Sequence, residues 1–399
     1  MIMNWDLIFL VIFLILLYIF YRANKSKFEV QSKFVFIYKS QIGIRPMDKI
    51  SKLPRPLLNT FSFISVLTGF AGMVFIFYTI VKYTFKFLAA PSINQPVLSP
   101  VLPGVNIPGV GVISFFHWII AIFIVASIHE FSHGFLARFY NVKIKSSGFL
   151  FLGPILGAFV EPDEEQLAKK SKYSQLAIFS AGPFSNILTG LLFFLILLMI
   201  TSPVGNMFEY KGVEVVSVDS QFPGALAGIK PGERILSVNN KPIDNLEEFS
   251  SILNKTKPNE KLPIGTNLMN YTVTLAKHPE SPDKGFIGVR TQPASFIVKD
   301  NVKNSLGTFI PNALLWIYQL FKWLFLVSLG IALFNLLPLG PLDGGRMFLT
   351  LLMGIFKDER KAKFVWGTIS IFLLALILVN LWPFIKKSFL FLLSPILGI

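Results

Sequence analysis

Residues 124–140 read IVASIHEFSHGFLARFY, and they continue an uncharged, mostly apolar run that begins at Val110. About 20 apolar residues are enough for a helix to cross a bilayer, so this stretch is expected to lie in a membrane. Yet His129, Glu130 and His133 stand inside it, although an ionisable group at mid-bilayer costs at least ~3 kcal/mol. Polar groups kept at such a cost indicate a functional site.

The composition predicts a polytopic α-helical membrane protein. Of the 399 residues, 53% are hydrophobic and only 15% are charged, where soluble domains are about a quarter charged. The 37 Lys and Arg outnumber the 22 Asp and Glu, but they cluster beside the apolar runs. There they act as topology signals and contact lipid headgroups, so the expected partner is the bilayer and not nucleic acid. The chain has no Cys, which excludes disulfides and thiolate metal sites.

Six apolar segments are long enough to span the bilayer. They are residues 4–21, 61–83, 112–137, 174–201, 309–337 and 364–384. The first segment has no basic region before it and no small-residue cleavage site after it. It is therefore expected to be a retained membrane anchor and not a signal peptide.

The charges of the loops predict how these segments are oriented. Residues 22–56 and 357–363 are rich in Lys and Arg, and 138–172 is basic at both ends, whereas 88–116 holds no charged residue. Short basic loops stay in the cytoplasm. We therefore expect a multi-pass protein of the cell membrane with both termini outside.

A soluble insert is expected at residues 207–299, between the fourth and fifth segments. A β-branched strand at Val213–Val218 and a strand at Arg234–Val238 are followed by Asn239-Asn240, a tight turn. Asp244 and Glu247 indicate a capping box for the next helix. The pattern predicts a small α+β domain on the outer side of the membrane.

The segment PGALAGIKPGERILSVNNKPI at 223–243 resembles a PDZ domain of the kind found in membrane and periplasmic proteases. The resemblance implies a peptide-binding domain. Its candidate carboxylate loop contains Gly285, Phe286, Ile287 and Gly288, since free backbone N–H groups can capture a carboxylate. The alternative is that these residues form only the closing strand of the domain.

The motif His-Glu-x-x-His at 129–133 is typical of a metal site. On a helix it places His129 and His133 one turn apart on one face, and Glu130 beside them can take a proton from water at the metal. An ordinary helix surface does not account for three such groups within a bilayer, whereas a metal ion does. The site is expected nearer the cytoplasmic face, because His133 lies only about 8 Å along the helix axis before Arg138.

A catalytic zinc site usually takes three protein ligands and keeps one open position. His117 lies about 18 Å along the helix from the motif, and His278 falls in the insert. Among the acidic residues, Asp343 stands out because it interrupts the fifth apolar segment, beside helix-breaking prolines and the pair Gly344-Gly345. We predict Asp343 as the third ligand, and the alternative is that it caps the following helix.

The motif HEFSH, paired with Asn335-x-x-Pro338-x-x-x-Leu342-Asp343-Gly344, resembles the two signatures of the site-2 proteases, which are intramembrane zinc metalloproteases. The resemblance covers about residues 115–353. It implies one Zn²⁺ per chain held by His129, His133 and Asp343, with Glu130 as general base. It also implies that Asn335 hydrogen-bonds the reacting carbonyl, for which an interhelical hydrogen bond is the alternative.

Two further segments are similar to parts of that family. GFLFLGPILGAFVEPDEE at 148–165, which includes Gly148 and Gly157, resembles a re-entrant loop that lines the substrate cleft. SAGPFSN at 180–186 places Pro183 and Asn186 in the fourth segment, facing the site. Pro338 is expected to support the cleft, and a packing kink is the alternative for Pro183.

The resemblance implies regulated intramembrane proteolysis of transmembrane segments that another protease has already shortened. The alternatives are a metal-ion transporter or a non-catalytic scaffold that uses the same polar site. The expected domains are an N-terminal two-span region, two halves of a protease core and, between those halves, the PDZ-like domain. Their residues are 1–111, 112–206 and 300–399, and 207–299.

Overall fold

The computed structural model describes residues 5–32, 35–90, 96–107, 110–152, 155–209, 211–279, 281–294, 297–356 and 358–397. The chain divides into two compact units. Unit 1 comprises Met1–Leu197 and Gln319–Ile399, and unit 2 comprises Leu198–Tyr318.

The helices, in chain order, are α1 (Trp5–Ala23), α2 (Ile44–Ile50), α3 (Arg55–Ala89), α4 (Phe115–Phe139), α5 (Glu164–Ala168), α6 (Lys172–Gly205), α7 (Pro223–Leu226), α8 (Leu246–Leu253), α9 (Asp300–Leu306), α10 (Phe309–Asn335), α11 (Asp343–Ile355) and α12 (Glu359–Leu397). Within the described residues, six of them (α1, α3, α4, α6, α10 and α12) are long and apolar enough to cross a membrane. Each of the six predicted segments thus coincides with a helix of sufficient length and apolar character, and the protein is an integral membrane protein.

The strands are β1 (Phe28–Ser32), β2 (Val35–Ser40), β3 (Asn106–Ile107), β4 (Gly111–Val112), β5 (Ile144–Leu152), β6 (Ile155–Pro162), β7 (Phe208–Glu209), β8 (Val213–Val218), β9 (Arg234–Val238), β10 (Lys241–Pro242), β11 (Lys261–Thr266), β12 (Asn270–Thr274), β13 (Ala276–Lys277), β14 (Gly285–Phe286), β15 (Val289–Pro293) and β16 (Ile297–Val298).

The segment expected to be a re-entrant loop forms strands in the structure. β5 and β6 pair antiparallel and extend a sheet in the order β1-β2-β5-β6, whose first two strands come from the basic loop after α1. Pairing satisfies the backbone N–H and C=O groups that a loop near the bilayer would leave open. Gly148 is needed where β5 meets β2, because a Cβ there would lie 2.0 Å from the Tyr38 carbonyl oxygen.

The core of unit 1 is built where α3, α4, α6, α11 and α12 meet. Its buried side chains include Ile76, Ile80, Leu136, Ile178, Met347, Leu373 and Ile377. Buried serines bring α3 and α6 together, since the hydroxyls of Ser65 and Ser180 lie 2.9 Å apart. α1 is tied to the start of α4, because the Phe115 N–H donates to Asp6 Oδ2 at 3.2 Å.

Prolines end the fifth spanning helix and separate it from the next one. α10 ends at Asn335 and α11 begins at Asp343, with Pro338 and Pro341 in the connection. This connection folds tightly over the start of α11: a Cβ on Gly344 would lie 2.3 Å from the Leu336 carbonyl oxygen. The glycine pair therefore allows the backbone of the connection to approach the first turn of α11, next to Asp343.

Unit 2 contains a small α+β fold. An antiparallel sheet runs in the order β12-β11-β9-β8-β15, with β10 paired to β9. Its core contains Val213, Ile235, Val238, Phe249, Leu262 and Ile264. The predicted strands β8 and β9 and the turn at Asn239-Asn240 are confirmed, and both asparagines have positive φ (52° and 60°).

The predicted cap of α8 was wrong by one residue. The helix begins at Leu246, so Asn245 is its N-cap and accepts from the Glu248 N–H at 2.9 Å. Glu248 in turn accepts from the Asn245 side-chain amide at 3.2 Å and from the Asp244 N–H at 3.0 Å. The reciprocal pair is therefore Asn245 with Glu248 and not Asp244 with Glu247, because Asn and Asp both suit the N-cap and the start of the helix decides between them.

Candidate metal centre

Three ligand atoms converge between α4 and α11. His129 Nε2 lies 3.0 Å from Asp343 Oδ2 and 3.1 Å from His133 Nε2, and His133 Nε2 lies 3.3 Å from Asp343 Oδ2. Ligands ~2.0–2.1 Å from one tetrahedral zinc lie about 3.3 Å from each other. The three residues therefore fit one metal ion. In the described part of the chain, this is the one group of three or more acidic, His or Cys side chains with such convergence.

Helical spacing and the broken fifth segment bring these ligands together. His129 and His133 stand one turn apart on α4, with ring centroids 4.8 Å apart. Asp343 is the first residue of α11, whose N-cap is Leu342 and has no side-chain cap hydrogen bond. The alternative role of Asp343 as the N-cap is therefore wrong, and its carboxylate points to the histidines instead.

Helix α6 orients both histidine rings. His133 Nδ1 lies 2.6 Å from the Ile178 carbonyl oxygen. Because a carbonyl can only accept, this nitrogen carries the proton and Nε2 keeps its lone pair for a metal. The side-chain amide of Asn186, which is fully buried, lies 3.0 Å from His129 Nδ1. Both rings therefore present Nε2 toward Asp343.

The hydrogen bonds of the Asn186 amide allow His129 to adopt the tautomer that binds a metal through Nε2. The amide nitrogen faces His129 Nδ1, and within the described residues the amide oxygen is buried without a hydrogen-bond partner. Nitrogen and oxygen of an amide differ little in shape, so their assignment follows from the hydrogen-bond network. With the amide turned over, its oxygen accepts a hydrogen bond from Nδ1–H, and the lone pair of His129 Nε2 is free for a metal.

Gly182 makes space beside the ligands, and sequence reasoning did not single it out. A Cβ at this position would lie 2.3 Å from His133 Nε2 and 2.6 Å from His129 Nε2. The absence of a side chain on α6 thus leaves the ligating atoms uncovered. Its sequence signal is its place one turn before Asn186 in the segment 180–186.

Glu130 lines the same cavity as the three ligands and is fixed from the sheet. The cavity holds about 250 Å³ and is also lined by Val160, Asn335, Pro341 and Arg346. The Val160 N–H, on β6, donates to Glu130 Oε2 at 3.1 Å. One carboxylate oxygen is therefore held by the backbone while the other remains available.

Asn335 lies where two cavities meet. It is the last residue of α10 and lines both the polar cavity and an apolar one of about 570 Å³. α3, α4, α10, α12 and residues 97–101 line the apolar cavity. Over the described residues its side chain makes no hydrogen bond, which argues against the interhelical alternative.

The remaining predicted site residues lie around this centre or in unit 2. Pro183 follows Gly182 within α6, and α6 continues past it to Gly205. Gly148 and Gly157 lie on the paired strands β5 and β6, and Pro338 lies in the connection before Asp343. His117 and His278 are not part of the metal group.

Unit 2 has a cavity of its own, of about 370 Å³. The predicted loop residues Gly285, Phe286, Ile287 and Gly288 line it, opposite Ser250 and Leu253 of α8. Gly285 and Phe286 form strand β14, in line with the alternative, and Ile287 and Gly288 follow it, so the predicted carboxylate loop is partly a strand and borders a groove against α8.

Comparison with solved structures finds PDZ domains for a part of the chain. The PDZ domain of an SdrC-like protein from Listeria monocytogenes is 21% identical and covers 21% of this chain and 88% of that domain, with a TM-score of 0.19. Its counterpart from Listeria innocua is 18% identical, also with a TM-score of 0.19.

Curated relatives cover most of the chain. An uncharacterised protein of Methanocaldococcus jannaschii is 29% identical over 86% of this chain and 85% of its own length. A putative zinc metalloprotease of Clostridium perfringens is 25% identical over 62% of this chain and 86% of its own length. The zinc metalloprotease RasP of Geobacillus kaustophilus is 27% identical over 63% of this chain and 68% of its own length.

The family comparison agrees with the geometry of the metal centre. Residues 117–379, which include the His129-Glu130 motif and Asp343, match the family described as Peptidase family M50. The match covers more than half of the chain. The protein therefore belongs to peptidase family M50, the site-2 protease family of zinc metalloproteases.

Proposed function

We propose that this protein is an intramembrane zinc metalloendopeptidase that hydrolyses peptide bonds within or near transmembrane segments of membrane proteins. The observation that carries the proposal is the cavity in which His129, His133 and Asp343 converge beside Glu130. A transporter site needs metal ligands but no adjacent proton acceptor, and a scaffold needs neither. The complete hydrolytic set therefore favours a protease.

The residues divide the work of peptide hydrolysis among them. Zinc, when held by His129, His133 and Asp343, supplies a Lewis acid that lowers the pKa of water and polarises a carbonyl. Glu130 accepts a proton from the attacking water, while the Val160 N–H keeps its carboxylate in position. The Asn335 amide donates to the reacting carbonyl oxygen, where negative charge develops.

The two cavities that share Asn335 support an extended apolar substrate. A helical segment has its carbonyls in the i to i−4 hydrogen-bond ladder, so a substrate must unwind before its carbonyl can reach the metal centre. The apolar cavity of about 570 Å³ can accept the side chains next to the unwound bond. The proposed substrates are therefore transmembrane segments that another protease has shortened, as in regulated intramembrane proteolysis.

We also propose a PDZ-like, peptide-binding role for unit 2 on the outer side of the cell membrane. Its support is the groove between α8 and the loop that contains Gly285 and Gly288. Backbone N–H groups of such a loop can hold a terminal carboxylate.

The proposed function is tested with purified protein and a model transmembrane substrate. We expect wild-type protein to bind about one zinc per chain and to cleave the substrate. Glu130→Gln keeps the zinc and loses cleavage, because the amide cannot accept a proton. Asp343→Ala loses both zinc and cleavage. Full activity of Glu130→Gln, or zinc flux into vesicles without cleavage, would overturn the proposal.

A further inference from the structure

Arg346 connects the helix of the third metal ligand to the segment that follows strand β6, whose Val160 N–H contacts Glu130. It lies three residues after Asp343 on α11 and lines the metal cavity. Its Nη2 donates to both carboxylate oxygens of Glu164, each at 2.7 Å. The two residues are 182 positions apart in the chain, so this contact is made only in the folded protein.

The guanidinium of Arg346 also packs on an aromatic ring. Its Cζ lies 4.5 Å from the centre of the Phe179 ring, on α6, which is within the range of a cation–π contact. The Arg346 carbonyl accepts from Thr350 Oγ1 at 2.8 Å, and the Gly345 carbonyl accepts from Trp366 Nε1 at 3.0 Å. Arg346 therefore lies in the first turn of α11, and these hydrogen bonds hold that turn in place.

Glu164 continues directly from the strand that holds the general base. β6 carries Val160, whose N–H donates to Glu130, and β6 ends at Pro162, two residues before Glu164. Next to it, Leu167 is buried in the core and lines the metal cavity. A displacement of Glu164 therefore moves the end of β6, only a few residues from Val160, whose N–H contacts Glu130.

We propose that Arg346 and Glu164 form an ionic clamp that positions Glu130 for proton transfer by holding β6 against α4 and α11. The proposal rests on the proposed proteolytic function, and both are positioning residues, since neither touches a reacting atom. A half-exposed ion pair adds little to global stability. Its effect is local because the pair joins the start of α5, which directly follows β6 and its Val160 contact to Glu130, to the helix that carries Asp343.

The clamp predicts a particular pattern of defects. Without it, β6 moves more freely and the Val160 N–H no longer fixes Glu130, so proton transfer slows. The three ligands come from α4 and α11, which the clamp does not assemble, so zinc binding stays as it is. The turnover number should therefore fall while the zinc content and the KM change little.

A double-mutant cycle tests the pair as a unit. We expect Arg346→Gln and Glu164→Gln each to lower kcat about tenfold, and the double variant to be no worse than either single one. The matched control is Glu165→Gln, which removes the same charge from the next residue. Glu165 is exposed and has no ion pair in the described residues, so we expect wild-type kcat for this variant. The pair Arg346→Glu with Glu164→Arg should recover activity relative to either reversal alone.

Hydrogen–deuterium exchange of the full-length protein supplies a readout that does not need catalysis. Amides of residues 155–162 should exchange faster in Arg346→Gln and Glu164→Gln than in wild type or Glu165→Gln. Multiplicative losses of kcat, or equal exchange in all variants while the wild type cleaves, would overturn the clamp. If the wild type does not cleave but the exchange pattern appears, the clamp stands and the proposed function fails.

Discussion

At the scale of single residues, the metal centre depends on Gly182, which has no side chain, and on the side-chain amide of Asn186. Gly182 contributes no atoms to the site, yet it decides whether the ligand nitrogens can be reached. Asn186 never contacts the metal position, yet it sets the tautomer of His129. Both lie on α6, which contributes no ligand, so this helix acts as the support of the site.

We predict that Gly182→Ala lowers zinc affinity at least about tenfold. The added methyl group would lie within 2.6 Å of both Nε2 atoms, so the rings must turn away. The matched control is Gly367→Ala, in the membrane helix α12, where a Cβ meets nothing within 4 Å. Zinc content and chelator competition measure the effect, and equal affinity of the two variants would contradict it.

We predict that Asn186→Leu weakens zinc binding by about 10–100-fold, because the orienting hydrogen bond to His129 is lost. Asn186→Asp should bind zinc nearly as well as wild type, since its carboxylate accepts from Nδ1–H and cannot donate. Chelator competition distinguishes the two variants. An Asp variant as weak as the Leu variant would mean that the amide acts by donating a hydrogen.

At the scale of elements, the β1-β2-β5-β6 sheet ties the basic loop after α1 to the metal centre. β6 carries the amide that holds Glu130, and β5 and β2 pair over Gly148. The segment that resembles a re-entrant loop is thus a paired hairpin that supports the base. In the same way, α11 exists as a separate helix because the prolines end α10, and its first residue becomes a ligand.

Within unit 2, a buried carboxylate joins two parts of the sheet. Glu233 is 2% exposed and accepts from Tyr271 Oη (2.9 Å), Thr266 Oγ1 (2.9 Å) and the Lys230 N–H (3.1 Å). We predict that Glu233→Ala destabilises unit 2 by about 1–3 kcal/mol, since it removes the acceptor of the Lys230 N–H and one acceptor of each hydroxyl. Hydrogen exchange of residues 213–238 in the full chain measures it. Glu247→Ala, at an exposed position of α8, is the control and should change little.

The stability that the hydrogen bond between Tyr271 and Glu233 contributes depends on pH. Burial and the contact with Glu233 raise the pKa of Tyr271 above its ordinary value of about 10. A raised pKa means that the protonated phenol is favoured in the folded state. Its contribution is therefore complete below about pH 10 and is lost as the pH rises through the raised pKa.

At the scale of the whole molecule, the distribution of charge sets the proposed orientation in the membrane. The chain has no Cys, so single cysteines can be labelled without background. We predict that a cysteine at Ser99 reacts with an impermeant thiol reagent from outside the cell and that one at Lys52 does not. Both positions are exposed, so access from one side is what differs. The reverse pattern would place unit 2 in the cytoplasm.

Much of the architecture could be predicted from the sequence because its causes are local. A run of about 20 apolar residues forms a spanning helix whatever lies elsewhere, and prolines 338 and 341 end α10 by removing N–H donors. Helical periodicity likewise places His129 and His133 on one face. Asp343 could be found because an acid in an apolar segment is costly, but its rival role as a helix cap depends on where α11 begins.

What only the tertiary structure decided are contacts between residues that are far apart in the chain. The Val160 N–H reaches Glu130 across 30 positions, and Arg346 reaches Glu164 across 182. Gly182 stands one turn before Asn186 in the sequence, but only the packing of α6 against α4 shows that a Cβ there would meet the ligand nitrogens of both histidines. Backbone donors and missing side chains leave no mark in residue chemistry or periodicity, so these supports of the site emerge only once the helices and the sheet have packed.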